Sequence, residues 1–165
     1  MTQLQPPAPI ELKAEELASQ LMPELESYHE IYAGYFQRRE QREHSLNYMQ
    51  GLFSNVPNKS TECMVLHMEG NNVNKIRAAQ HFIARGAWGD GPILNQHWQE
   101  VEKDLGDANG VIILDGSDFP KQGKESVGVK RQWCGQLGKT ANCQAGVFLG
   151  YASQQGYTLL NRRLY

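Results

Sequence analysis

Apolar residues in the first hundred positions recur at the spacing of amphipathic helices. A polar tail with three prolines is followed by predicted helices over residues 11–22, 23–36 and 37–53. The apolar stripe of the second helix consists of Leu25, Tyr28, Ile31, Tyr32 and Tyr35. The apolar face of the third consists of Leu46, Met49, Leu52 and Phe53. The front of the chain is therefore predicted to be helical.

Two later helices have recognisable signals at their ends. Asn72 is a suitable cap for a helix that runs through Arg85, and Gly86 follows it as a residue that tolerates a left-handed backbone. The next helix opens with Asp90 and closes before Gly106. Its predicted inward face consists of Ile93, Leu94, His97, Trp98, Val101 and Leu105. His97 on this face is interpreted as a hydrogen-bonded core histidine rather than a ligand.

The pattern changes to strands after residue 110. The run from Val111 to Leu114 is short, apolar and rich in β-branched residues, which predicts a strand covered on both faces with Asp115 at its exit. Alternation over 127–133 and two further segments, 142–153 and 156–165, predict three more strands in an antiparallel meander. A sheet with a free, uncovered edge predicts marginal stability or poor solubility in the last fifty residues.

These elements predict an α+β protein with three parts. Residues 1–22 form a tail and a short helix, residues 23–106 form a small helical domain, and residues 107–165 form a sheet domain.

The two ends of the chain differ in charge. Residues 110–165 contain seven basic and three acidic residues, a net charge of +4, whereas residues 1–109 contain nine basic and fifteen acidic residues, a net charge of −6. The basic residues closest to Asp115 in sequence are Lys121, Lys124, Lys130 and Arg131. A positive segment beside a carboxylate is what a site acting on a phosphodiester backbone requires, although a solvated charge run explains the lysines nearly as well.

Asp115 has two interpretations at this point. A carboxylate at the rim of a sheet is positioned to meet a ligand or an ion. Alternatively, Asp115 and Asp118 only form a turn, together with Gly116 and Ser117, because all four residue types are common turn formers. Spacing alone favours the turn.

A longer motif favours the first interpretation. The segments DGSDFPKQGKESVGV and KRQWCGQLGKTANCQAGVFLGYAS resemble the first-aspartate region of the DDE superfamily of insertion-sequence transposases. The similarity is to the bacterial branch whose motif reads DDxGFPKxGxxSVGVxRQYxGxxGKxxNCQ. It is strong over 111–165 and looser over 36–54 and 82–93. Gly116 stands where the family has a second aspartate, and Asp118 stands where it has a glycine.

The resemblance implies an RNase H-like catalytic domain, of which residues 107–165 would be the first strands of an incomplete fold. In that fold three acidic residues hold two divalent ions, Mg²⁺ or Mn²⁺. Asp115 matches the first of them, as a catalytic metal ligand, and no position matches the second and third. The chain is therefore expected to be catalytically incompetent by itself.

The resemblance also implies double-stranded DNA at transposon ends as the partner. Lys121, Lys124, Lys130 and Arg131 would contact its backbone, and the helical domain over 23–106 would grip the transposon end. Two alternatives remain: a non-catalytic DNA-binding or regulatory product of a transposable element, and an unrelated α/β domain. Homodimerisation stays open.

Several other kinds of site are not supported. Gly138, Lys139 and Thr140 resemble the end of a P-loop, but the earlier glycine is missing and a strand follows where the motif needs a helix, so no nucleotide cofactor is expected. The three cysteines have no zinc-site spacing and are interpreted as reduced thiols. From the sequence we expect no membrane-spanning stretch and no signal peptide. A bacterial cytoplasmic, nucleoid-associated location is expected.

Overall fold

The structure, a computed structural model, describes the backbone of residues 14–165 and the side chains from Gln20 onward. The proline-rich tail and the start of the first predicted helix lie outside the described residues. Contacts divide the chain into two compact units, with the division between Gly89 and Asp90. The prediction of an α+β protein is confirmed, because five helices and a four-stranded antiparallel sheet are present in the described part.

The first unit contains only helices: α1 (Ala14–Ala33), α2 (Arg39–Phe53), α3 (Thr61–Glu69) and α4 (Val73–Arg85). The second contains α5 (Asp90–Leu105), β1 (Val111–Pro120), β2 (Val129–Cys134), a 3-10 turn (Gly135–Leu137), β3 (Lys139–Ala152) and β4 (Tyr157–Leu164). Contacts thus group α5 with the sheet, while the domain boundaries after residues 22 and 106 stay predictions. Within residues 14–165 no helix combines the length and apolar composition needed to cross a bilayer.

The first helix does not break at Pro23. Separate helices over 11–22 and 23–36 are wrong, because α1 continues from Ala14 to Ala33 with Pro23 inside it. Proline removes one backbone donor from the helical ladder. The helix tolerates this loss because its second half packs inward through Leu25, His29 and Tyr32, which are all buried.

The buried face of α2 also differs from the prediction. Leu52 and Phe53 are exposed, and the residues of α2 that are buried are Gln41, Ser45 and Gly51. Polar contacts select this face, since the Gln41 side chain donates to the carbonyl of Ala87 at 3.3 Å. Gly51 lets the helices approach, because a Cβ there would lie 2.9 Å from the Cβ of Met64 on α3.

The predicted start of α4 is confirmed, and the predicted reason for its end is wrong. The Asn72 side chain accepts a hydrogen bond from the Lys75 amide at 3.2 Å. Gly86 has a φ of −57°, so its backbone is not left-handed. Glycine is needed there for space, because a Cβ would lie 2.6 Å from the Trp88 ring. Trp88 stacks on Phe82 at a centroid distance of 5.5 Å and closes the helical core.

The sheet is antiparallel but is not a simple meander. β1 pairs with β3 over its whole length, from Val111 opposite Ala152 to Pro120 opposite Cys143. The other side of β3 is shared end to end by β2 and β4. β3 is fourteen residues long, and this length allows it to serve as the central strand for three partners.

Helix α5 protects the outer edge of β4. The Nε2 of His97 lies 2.8 Å from the carbonyl oxygen of Leu159, and the indole Nε1 of Trp98 donates to the carbonyl of Leu160 at 2.9 Å. The ladder shifts register between Leu149 and Gly150, which allows these two successive carbonyls to face the helix. The prediction of a hydrogen-bonded His97 is confirmed, although its side chain is half-buried.

The prediction that β1 is covered on both faces is wrong. Ile112 is 58% exposed and Leu114 is 70% exposed, and β1 has no strand partner on its outer side among the described residues. An apolar run of this composition is typical of a buried strand, but here its side chains are exposed and form an open apolar surface.

Candidate catalytic strand and nucleic-acid interface

Asp115 lies in the middle of β1, not at its exit and not in a turn. The strand continues through Gly116, Ser117 and Asp118 to Pro120, so both sequence interpretations of its position are wrong. The turn formers adopt an extended backbone because each of them pairs with a residue of the long strand β3. Tertiary pairing therefore overrides local turn preference here.

The Asp115 carboxylate is exposed and has one hydrogen bond. Its Oδ1 accepts from the Gly116 amide at 2.8 Å. Within the described residues no ion pair involves Asp115. The group is thus directed toward solvent with one oxygen available, which is the condition that a metal ligand at this position requires.

A shallow groove of about 550 Å³ surrounds Asp115 on its face of the sheet. Its lining includes Ile113, Phe148, Gly150 and Leu159. Phe148 is the direct cross-strand partner of Asp115, and the nearby Gly150 adds no side chain to the surface. The carboxylate therefore stands in a mostly apolar, open groove rather than in a closed pocket.

Asp118 has a different environment. Its Oδ2 accepts a hydrogen bond of 2.6 Å from the amide of Gly135, at the tip of the β2–β3 hairpin. Below this tip Cys134 and Cys143 are completely buried free thiols. Burial raises the pKa of the Cys143 thiol, and a hydrogen bond with Cys134 contributes a smaller effect in the same direction. Asp118 thus anchors the hairpin over two buried thiols.

The predicted basic residues gather at one end of the sheet. We call Lys121, Lys124, Lys130 and Arg131 the basic end. Lys130 pairs with Cys143 and Arg131 with Asn142, whereas Asp115 pairs with Phe148. At about 3.4 Å per residue, the basic end lies roughly 17 Å along the sheet from Asp115.

Strand register separates the members of the basic end. Paired residues of an antiparallel ladder share a face, and side chains alternate along each strand. Arg131 therefore shares the face of Asp115, and Lys130 points from the opposite face. The Asn142 side chain donates to the carbonyls of Lys121 and Gly123, which holds the loop with Lys121 and Lys124 toward the face of Asp115.

Arg162 is a residue of this face that the sequence did not single out. It pairs with Phe148 on the rung of Asp115, two strands away, or roughly 10 Å. Its guanidinium forms an exposed ion pair of 3.3 Å with Asp90. Its position depends on the register between distant strands, and no local sequence signal encodes that register.

The donor set for a metal ion is incomplete in this part of the chain. Mg²⁺ is usually held by one or two carboxylates together with waters and substrate phosphates, so a site for two such ions needs more acidic side chains than Asp115 alone. Among residues 14–165 no group of three His, Cys, Asp or Glu side chains is arranged to hold a metal ion. The described residues therefore supply one suitable ligand but not a whole site.

Comparison with known proteins gives one finding. Neither a search of curated proteins nor a search of solved structures produced a significant match. The sequence model of a family described as DDE superfamily endonuclease matches residues 32–165, a range that includes Asp115 and the whole basic end. This match covers well over half of the chain, and the protein therefore belongs to the DDE superfamily endonuclease family.

Proposed function

We propose that this protein acts on duplex DNA as the front part of a bacterial insertion-sequence transposase, which cleaves and joins DNA at transposon ends. Family membership rules out the alternative of an unrelated α/β domain. The observation that carries the proposal is the exposed Asp115 carboxylate on a sheet face that also presents Arg131. An RNase H-like sheet and a nucleoid location belong to the same proposal.

The spacing on this face fits a duplex whose axis runs along the sheet. Duplex DNA advances about 3.4 Å per base pair along its axis, so roughly 17 Å corresponds to about five base pairs. A duplex that passes Asp115 would therefore also place phosphates beside Arg131 and the loop of Lys121 and Lys124. The basic residues then fix the register of the DNA, and the carboxylate marks the position of the reacting phosphate.

Asp115 would hold a divalent ion in this proposal. Such an ion, when bound, polarises the phosphoryl oxygen and lowers the pKa of an attacking water or hydroxyl. The protein contributes a hard oxygen ligand on a rigid strand, with Gly116 fixing the carboxylate through its amide. The apolar side chains Ile113 and Phe148 line the open groove beside that position.

We propose further that the chain does not cut DNA by itself. A two-metal site needs several acidic ligands, and the described residues place Asp115 in no group of three. This observation favours a second function, in which the protein occupies transposon ends without chemistry and regulates a complete transposase.

Duplex binding tests the shared part of both functions. The affinity for a 30-base-pair duplex should fall as the salt concentration rises. In the triple variant Lys121→Ala/Lys124→Ala/Arg131→Ala, the slope of log affinity against log salt concentration should be smaller by about three, because each phosphate contact contributes about one. Lys103→Ala, an exposed lysine of α5, is the matched control and should change nothing. Equal affinity and equal slope for the triple variant would overturn the proposed interface. Nicking of supercoiled plasmid by the chain with Mg²⁺ alone would overturn its inactivity.

A further inference from the structure

The three tryptophans of this chain have different surroundings. The indole Nε1 of Trp88 donates to the carbonyl of Phe82 at 2.9 Å, and that of Trp98 donates to the carbonyl of Leu160 at 2.9 Å. Trp133 of β2 is 64% exposed, and within the described residues its ring has no hydrogen bond and no aromatic neighbour. Tryptophan is highly buried on average, because its ring is large and mostly apolar. Trp88 and Trp98 therefore stabilise the fold, whereas most of the Trp133 ring faces solvent.

Strand register places the Trp133 ring on the face of Asp115. Trp133 pairs with Thr140, which lies eight residues along β3 from Phe148, the partner of Asp115. Paired residues share a face, and side chains alternate along each strand. Arg131 precedes Trp133 by two residues on β2 and points from the same face. At about 3.4 Å per residue, the ring lies about 7 Å beyond Arg131 and roughly 27 Å from Asp115 along the sheet.

The strand beneath the ring is held from the opposite face of the sheet. Cys134 is completely buried, and the thiol of Cys143 donates to the carbonyl of Trp133 at 3.8 Å. The Gln132 side chain donates to the carbonyl of Cys143 at 3.2 Å. β1 ends opposite Cys143, three residues before the rung of Trp133, so the ring stands on the part of the β2–β3 hairpin that extends past β1. The fold thus fixes the position of the ring and leaves its outer side open.

Positive charge lies beside the ring on this face. Arg131 and the loop of Lys121 and Lys124 share it, and no ion pair within the described residues neutralises them. Glu125 is the acidic residue of that loop. Asp118, whose carboxylate holds the hairpin tip, points from the opposite face. An exposed aromatic ring next to cations is typical of sites for single-stranded nucleic acid, in which bases stack on the ring and phosphates meet the cations.

We propose that Trp133 stacks on an unpaired base of DNA, with Arg131 against an adjacent phosphate. This inference rests on the proposed action on DNA, and it adds a site for a single-stranded segment at the end of the sheet remote from Asp115. Bases inside a duplex have both faces covered by their neighbours, so the ring selects a base that has left the stack. Every base has a π face, and the site therefore recognises the structure of the DNA rather than its sequence.

Two DNA ligands that differ only in a single-stranded end test the inference. The chain is titrated with a blunt 20-base-pair duplex and with the same duplex extended by five unpaired thymidines. Binding is followed by the fluorescence anisotropy of a dye on the other end of the duplex. The wild type should bind the extended duplex about 10- to 100-fold more tightly, the range that stacking of one base provides. Trp133→Ala should lose this preference and keep its affinity for the blunt duplex.

Further variants separate stacking from a structural role. Trp133→Tyr keeps an aromatic ring and should retain most of the preference, whereas Trp133→Leu keeps an apolar side chain without a ring and should lose it. Phe53→Ala removes a ring that is 60% exposed on α2, and this matched control should bind both ligands as the wild type does. A thymidine oligonucleotide should quench part of the tryptophan fluorescence of the wild type and none of that of Trp133→Tyr. Circular dichroism confirms that each variant is folded.

The outcomes distinguish this site from the proposed action on DNA. Equal affinity of the wild type for the two ligands, or a preference that survives in Trp133→Ala, would refute stacking on Trp133 while duplex binding stands. If Trp133→Ala does not fold, the comparison of Trp133→Tyr with Trp133→Leu decides, and equal preferences in these two variants would refute it. If the wild type binds neither ligand, both proposals fail.

Discussion

His29 on α1 and Ser45 on α2 are joined by a buried hydrogen bond of 2.6 Å between the imidazole Nε2 and the serine Oγ. The same hydroxyl donates to the carbonyl of Arg42 at 3.0 Å. The imidazole must therefore donate through Nε2, which fixes its tautomer. This hydrogen bond, which a neutral imidazole donates in its Nε2–H tautomer, links two helices of the first unit.

The stability of the helical unit should depend on this neutral state. Burial lowers the pKa of His29 below its ordinary value of 6.5, against a smaller opposite effect of Glu30. A lowered pKa means that the unfolded chain binds the proton more readily, so stability is full above about pH 6.5 and is lost as the pH falls below it. The free energy of unfolding, measured with urea at pH 7.5 and pH 5, should decrease on acidification.

Two variants separate this effect from general acid sensitivity. His29→Gln should reduce the difference between pH 7.5 and pH 5, at a cost of about 1–3 kcal/mol at pH 7.5 from the disturbed buried hydrogen bond. His67→Gln, which replaces an exposed histidine of α3, should keep the difference. An identical pH difference in His29→Gln and the wild type would contradict the assignment.

Gly51 should not tolerate a side chain. A Cβ at this position would lie 2.9 Å from both the Cβ and the Sδ of Met64, which is fully buried. We expect Gly51→Ala to destabilise the protein by about 1–3 kcal/mol through overpacking. Gly34→Ala is the matched control, because no atom lies within 4 Å of its Cβ. Equal melting temperatures for the two variants would show that α2 and α3 are not in close contact.

Asp118 should protect the two buried thiols through the hairpin tip. Asp118→Ala removes the acceptor of the Gly135 amide, and a bond to a charged acceptor contributes about 1.5–3 kcal/mol in favourable cases. Because this site is partly exposed, we expect the lower end of that range. In the wild type a maleimide should label Cys63 first, and Cys134 and Cys143 only on opening. Labelling of Cys134 and Cys143 should accelerate in Asp118→Ala but not in Asp104→Ala. Unchanged labelling rates in Asp118→Ala would disprove the anchoring role.

The exposed apolar residues of β1 should limit solubility. An unpaired strand edge with a row of aliphatic side chains is a template for association. We expect Leu114→Lys to lower concentration-dependent light scattering, because a charge on such an edge opposes pairing. Val127→Lys changes a residue that is 80% exposed in a loop and serves as the control. If both variants scatter light equally, association does not occur through β1.

The sequence predicts those parts of the fold that are encoded locally. The cap at Asn72 and the bounds of α5 are correct, because a helix end depends on residues within one turn. The buried face of α2 is not predictable in this way. It depends on Ser45 meeting His29 and on Gln41 meeting Ala87, and these partners are distant in sequence.

The sequence predicted which segment contains the candidate site but not how the side chains of that site are arranged. The match to the family supports the choice of the region around Asp115, whereas its metal role and the DNA contacts of the basic end stay predictions. The mid-strand position of Asp115 and the face of Lys130 follow from pairing with β3, which no local pattern specifies.

Binding of Mn²⁺ tests the central role of Asp115 most directly. A duplex-bound sample of the chain is titrated with Mn²⁺, and paramagnetic broadening of backbone amide signals is recorded by NMR. The account predicts broadening centred on Asp115, Gly116 and Phe148 that disappears in Asp115→Asn and persists in Asp104→Asn. Broadening that is unchanged in Asp115→Asn, or that is centred elsewhere in the chain, would contradict it.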